Sequence, residues 1–152
     1  MVGPFSITVR LILSAVLGGV IGMERELHRH EAGLRTHILV CMGSSLIMLT
    51  SLYVFDIYKG INVVDPSRIA AGAITGIGFI GAGAIIRSGM SVKGLTTAAT
   101  LWITAAVGLA VGCGFYLAGI FASLTSVIVL LFLRNIEKKL LGKGEVEDGI
   151  KK

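Results

Sequence analysis

Charge is what this chain has least of. Asp, Glu, Lys and Arg together make up 15% of its 152 residues, where a soluble domain carries about 25%. Cysteine is equally scarce. Cys41 and Cys113 both sit in or beside apolar runs with no CxxC spacing, which excludes a disulfide framework and a zinc ribbon. No Walker loop and no HExxH motif is present, so the common phosphate and metalloprotease chemistries have no residues to work with. What the chain has in quantity is hydrophobic residues, at 54%, and glycine, at 21 positions, with a mean hydropathy of +0.86. That composition defines an integral membrane protein of one domain, because several spans of about 20 residues each use up nearly the whole length.

The chain divides into five apolar runs, at about 5–22, 38–55, 69–86, 95–113 and 115–133, followed by a charged tail at 134–152. The expected fold is all-α, a polytopic membrane domain over 1–133 with five transmembrane helices. Pro4 and Pro66 both stand where a helix should begin, since proline fits the first helical position. Asp65 before Pro66 supplies an acidic N-cap, and Thr96 or Thr97 is the expected cap of the fourth helix. The first run is read as a retained helix and not a signal peptide, because no cation precedes it and Glu24, Arg25 and Glu26 follow it. The segment from 24 to 37 is read as a polar loop with a turn of helix ending near Gly33.

The net charge of +5 is an orientation signal, not a nucleic-acid footprint. Five spans would put eleven of the fourteen cations, among them Arg25, Arg29, Arg35, Arg87, Lys93, Arg134 and the tail lysines, on one side. Lys59 and Arg68 fall on the other, with Arg10 just inside the membrane. Lysine and arginine in short loops mark the cytoplasmic face, so the N-terminus is expected outside and the C-terminus in the cytoplasm.

Several motifs invite chemistry. Residues 76–81 read GIGFIG, a literal GxGxxG, but the glycines lie mid-span with no preceding strand and no acidic residue near position 100, so nucleotide binding is not indicated. Packing explains them better. Gly72 and Gly76 are four apart with Gly78, Gly81 and Gly83 beyond, and Gly18/Gly22 and Gly108/Gly112 repeat the spacing; small residues so placed let helices approach closely in lipid. The expected seam joins the third and fourth spans, with a backbone-lined groove as the other reading. Arg10, the one charge within a span, is expected either to snorkel outward or to pair with Asp65. Glu24 and Glu26 are expected to pair with Arg35, Arg87 or Lys93. His28 and His30 do not face each other on a helix, and arginines interleave with them, so no metal site is expected. Ser44 or Ser45 with His37 as base would be a hydrolytic arrangement, but nothing in the spacing fixes it. Neither a catalytic centre nor a cofactor is expected.

Five blocks in order, GGVIGMERE (18–26), GLRTH (33–37), DPSRIAA (65–71), GIGFIGAG (76–83) and GLTTAATLW (94–102), resemble the signature blocks of the MgtC/SapB membrane proteins. On that resemblance the candidate functional positions are Glu24, Arg25, Glu26, Arg35, Thr36, His37, Asp65, Arg68, Arg87, Thr96 and Thr97. It implies a small multi-pass protein of a prokaryotic inner (plasma) membrane, associated with magnesium homeostasis, growth at low magnesium and survival of pathogens in macrophages. Such proteins are thought to modulate other membrane machinery, the proton-driven ATP synthase included, more than to pump magnesium. The partners implied are the lipid bilayer, a membrane protein such as ATP synthase or a transporter, and further copies of the chain. A small oligomeric channel or carrier is the alternative. Longer members carry a soluble domain after the last span, and this chain ends at Lys152, so a short form is expected. A reporter fused after Lys152 is expected to be active in the cytoplasm; activity only outside the cell refutes the five-span arrangement.

Overall fold

The computed structural model describes residues 2–61, 64–89 and 91–140, with the side chains of 135 and 137–140 outside the description. Five helices, α1 (Pro4–Leu27), α2 (Leu34–Tyr58), α3 (Ser67–Gly83), α4 (Leu95–Cys113) and α5 (Tyr116–Leu140), carry the fold. A two-stranded hairpin, β1 (Ile86–Ser88) paired antiparallel with β2 (Ser91–Lys93), joins α3 to α4. The expected tail at 134–152 is helix as far as Leu140, as the end of α5, and otherwise lies outside the described residues.

Four of the helices, α1, α2, α4 and α5, are long and apolar enough to cross a membrane. The fifth, α3, has 17 residues and spans about 25 Å at 1.5 Å per residue, short of the roughly 30 Å hydrocarbon core. It ends three residues before the expected boundary because the chain turns into the hairpin at Ile86. The segment read as a polar loop is mostly helix: α1 continues through Leu27 and α2 begins at Leu34. Polar residues at the ends of these helices hid the continuation, since hydropathy stops where the apolar surface stops, not where the hydrogen bonds do.

Local chemistry explains each boundary. Pro4 opens α1 in the first turn. At its other end Arg29 takes a left-handed φ of 55°, the His30 N–H donates to the Arg25 carbonyl and the Arg29 N–H to the Glu26 carbonyl. This is a Schellman stop built without glycine, at a cost of about 1–2 kcal/mol for the left-handed residue. Across the loop, the Glu26 carboxylate accepts the Leu34 N–H at 3.0 Å and so caps α2. A Cβ on Gly33 would sit 1.8 Å from that carboxylate, so a side chain there would push Glu26 off the cap. Asp65 accepts the Ser67 N–H at 2.8 Å, but α3 begins one residue later than expected, with Pro66 and not Asp65 at the N-cap and Ser67 as the first helical residue. Helix α4 is capped at Gly94, with φ 86°, not at Thr96 or Thr97. A left-handed residue was needed to turn out of the hairpin, and a Cβ on Gly94 would fall 1.8 Å from the Ala84 carbonyl.

The glycine seam is real, but it lies elsewhere than expected. A Cβ on Gly18 would meet the His37 carbonyl at 2.6 Å and Cys41 at 2.7 Å, and one on Gly22 would meet Leu34 Cα at 2.8 Å. From the other side, a Cβ on Gly108 would fall 2.1 Å from the Cys41 carbonyl and one on Gly112 2.6 Å from the Ser45 carbonyl. Helices α1 and α4 thus close on α2 from two sides, with fully buried Cys41 between Gly18 and Gly108. Gly119 brings α5 against Val111. By contrast, Gly72, Gly76, Gly78 and Gly83 have nothing within 4 Å of where a Cβ would stand, and Gly81 makes only ordinary contact with Ala98. The α3 glycines are therefore not a seam with α4.

Two apolar clusters fill what the glycines leave. One joins Leu17, Cys41, Val107 and Val111; the other joins Ala32, Ile77, Leu101 and Ala105. Alongside them the interior holds hydroxyls, five of them turned back on a carbonyl: Ser14 to Arg10, Thr100 to Thr97, Thr104 to Thr100, and, between helices, Ser123 of α5 to Leu17 of α1 and Ser51 of α2 to Pro66. The large apolar side chains Phe5, Phe79, Trp102, Phe121 and Phe132 point outward. Gly108→Ala is expected to lower the thermal midpoint in detergent by an overpacking cost of about 1–3 kcal/mol, while Gly76→Ala leaves it unchanged; equal loss in both variants would contradict this packing.

Candidate functional site

The charged residues gather at the end of the bundle where α1 stops and α4 starts. Glu24 and Arg25 lie in the last turn of α1 yet are buried, at 5% and 3% exposure. Arg25 Nη1 donates to Glu24 Oε2 at 3.4 Å, and His28 Nδ1 stands 3.0 Å from Glu24 Oε1. The same His28 nitrogen lies 2.7 Å from the Glu24 carbonyl. Arg25 Nε and Nη2 have no hydrogen-bond partner among the described residues. A cleft of about 310 Å³ opens beside them, lined by Glu24, Arg25, His30, Thr96, Val129, Leu130, Leu133 and Arg134. Desolvation and then the Arg25 guanidinium hold the pKa of His30, an exposed residue of that lining, below its ordinary value.

His37 is fully buried on α2, with Nδ1 2.8 Å from the Gly33 carbonyl and Nε2 unpartnered. Ser45 Oγ is likewise buried without a partner. No hydrogen bond joins the two, and Ser44 packs against the Gly108 position, so the serine and histidine are not arranged as nucleophile and base. Among the described residues no group of three His, Cys, Asp or Glu side chains could hold a metal.

The remaining predicted positions are dispersed. Glu26 serves as the α2 cap. Arg35 is exposed and Thr36 half-buried on the first turn of α2. Arg87 lies exposed on the hairpin, its Nε donating to the Gly89 carbonyl at 3.4 Å. The expected pairing of Glu24 and Glu26 with Arg35, Arg87 or Lys93 does not form among the described residues; a sequence neighbour, Arg25, and the next turn's His28 take Glu24 instead. Asp65 and Arg68 are exposed at the opposite end, where donation from Ser67 holds the Asp65 pKa below the usual carboxylate range. Thr97 is buried and Thr96 lines the cleft.

Arg10 does not reach Asp65. Its Nη1 donates to the Gly112 carbonyl at 2.7 Å and its Nε to the Tyr116 hydroxyl at 3.1 Å, with the guanidinium 5.9 Å from the Tyr116 ring centre. A cation on the last carbonyls of α4 is favoured by the helix dipole, and it ties α1 to the α4–α5 turn. Sequence reasoning missed Tyr116, His30 and Arg134. The available signal was depth: Tyr116 follows the α4–α5 turn, and Arg134 ends the last apolar run as Arg25 follows the first.

Four long apolar helices closing on buried polar groups define a multi-pass α-helical membrane protein in contact with lipid. The MgtC family pattern matches residues 11–139, and the chain belongs to the MgtC family. The Escherichia coli K12 protein called "Putative magnesium transporter YhiD" is 47% identical over 137 residues, covering 89% of this chain and 64% of its own length. Protein MgtC of Salmonella typhimurium LT2 is 37% identical over 136 residues, covering 90% and 56%. The protein slr0014 of Synechocystis is 38% identical over 128 residues, covering 84% and 52%. The chain thus spans somewhat more than half the length of these relatives. No solved structure matches it.

Glu24→Gln leaves the Arg25 charge buried without a counter-charge and is expected to cost about 3–5 kcal/mol, read as a lowered thermal midpoint in detergent. The double variant Glu24→Leu/Arg25→Met is expected to recover most of that loss; a double variant as unstable as the single one would show that the pair is not the cause.

Proposed function

We infer that the chain is a non-enzymatic modulator of the prokaryotic inner membrane, acting in magnesium homeostasis by direct contact with another membrane protein. The observation that carries this reading is the bare glycine face of α3. Gly72, Gly76 and Gly83 share that face and are exposed with open space around them, as is Gly78 on another side of the helix, and Gly72 and Gly76 line a groove of about 570 Å³ between α2 and α3 with Leu39, Ser44 and Ile80. Small residues on a lipid-facing helix allow a second helix to approach its backbone closely, and among the described residues nothing stands within 4 Å of a Cβ placed on these glycines. The four other helices hold together without it. Magnesium enters from the names and family of the relatives. The cytoplasmic position of the C-terminus follows from the cation distribution, and a role in intracellular survival from the family resemblance alone.

Transport is the second reading. It is favoured by the name of the Escherichia coli relative and by the buried, unpartnered Arg25, His37 and Ser45 atoms. Within one protomer the buried hydroxyls of Ser14, Thr100, Thr104 and Ser123 are spent on carbonyls, and five short helices leave little room for a pore, so a conducting form would be an oligomer.

The two readings separate experimentally. Gly76→Leu has room for its side chain and is expected to insert and melt like the parent. It is also expected to lose growth support at low magnesium and recovery of the partner by crosslinking from native membranes. A Gly76→Leu protein that keeps both would refute the contact reading, and magnesium or proton flux in liposomes holding the purified chain alone would replace it with transport.

A further inference from the structure

The cleft beside Arg25 has the chemistry of a receptor for an anionic amphiphile. Arg25 is 3% exposed. Its Nη1 is spent on Glu24, while Nε and Nη2, the two donors along one edge of the guanidinium, have no partner. That edge is the fork that takes two oxygens of a phosphate or carboxylate at once. Arg134 brings a second guanidinium to the cleft, also with Nε unpartnered. The Glu24 carboxylate is already occupied by Arg25 and His28, so the fixed charges lining the cleft leave one positive charge in excess.

A second observation fixes the rest of the ligand. The cleft runs into a groove of about 310 Å³ between α4 and α5, the two sharing Thr96, Val129 and Leu130. Two of the hydroxyls along that groove are turned inward, Thr100 donating to the Thr97 carbonyl and Ser126 to the Ala122 carbonyl. The surface left for a ligand is mostly methyl and methylene. Arg25 lies near the end of α1, and Arg134 closes the apolar stretch of α5, the depth at which a bilayer changes from hydrocarbon to headgroup.

We propose that this cleft binds an anionic phospholipid, with the phosphate on the Nε/Nη2 edge of Arg25 and beside Arg134, and an acyl chain along the α4–α5 groove. Free phosphate shares the headgroup chemistry but has no use for the groove. The cleft shares no lining residue with the groove on α3, and the proposal holds whether or not a partner docks there.

The test uses the full chain in detergent, titrated with short-chain phosphatidylglycerol, short-chain phosphatidylethanolamine and inorganic phosphate, and read by native mass spectrometry with tryptophan fluorescence. Phosphatidylglycerol is expected to bind about tenfold or more tightly than phosphatidylethanolamine. Arg134→Gln, at the rim, and Arg25→Lys, which keeps the charge but not the paired donors, should each weaken it by about tenfold. Val129→Trp, on an exposed position, should weaken the lipid by blocking the groove while leaving the melting midpoint unchanged. Equal binding of the two lipids, or indifference to Arg134→Gln, overturns the proposal. Competition by inorganic phosphate as strong as by lipid, with Val129→Trp neutral, overturns it in favour of a free anion.

Discussion

Three backbones meet at Cys41, and the rest of the molecule depends on how closely they approach. Gly18 on one side and Gly108 on the other leave no space even for a methyl group against the Cys41 turn of α2. In lipid the hydrophobic effect gives little reward for joining one apolar helix to another, so association rests on van der Waals contact and interhelical hydrogen bonds. Both need backbones within reach. The same closeness allows Ser123 to span from α5 to the Leu17 carbonyl and sets Arg10 on the last turn of α4. The interior is consequently small and hydroxylated and the exterior large and apolar, the inverse of a soluble domain.

Much of this was legible in the sequence, and the part that was not has a physical cause. The glycine pairs Gly18/Gly22 and Gly108/Gly112 announce close approach by their spacing, and the structure uses both. Gly72/Gly76 has the same spacing, yet among the described residues nothing comes within 4 Å of a Cβ placed on either. Spacing says that a helix has a flat face, whereas the neighbour that covers the face is a property of the whole bundle. The boundaries of α4 were read correctly because Gly94 and Gly114, at φ 86° and 95°, punctuate it sharply. Those of α1 and α2 were misread because their last and first turns are charged.

The candidate site was half legible. Glu24, Arg25, His37, Thr96 and Thr97 lie at the end of the bundle where α1 stops and α2 and α4 start, but the partners expected for Glu24 were wrong. A charge reached by counting loops was expected to seek a distant loop; in the structure Arg25 takes Glu24 beside it, and Arg10 takes a carbonyl and a tyrosine in place of a carboxylate. Unsatisfied helix ends are numerous and near, and they compete for cations on equal terms with acidic side chains. Arg134 escaped notice because it reads as the first residue of a tail, when it is the last residue of the span facing the cleft.

The brace from Glu26 to the Leu34 N–H bears on the order in which the chain assembles. Its two ends are close in sequence, as are Gly22 and Leu34 beneath it, so the α1–α2 hairpin closes through short loops that cost little entropy. Gly108 is synthesised much later. Until α4 arrives, the far side of Cys41 is roofed only by whatever surrounds the hairpin, and the nascent protein carries a temporary groove that its own later helix is shaped to fill.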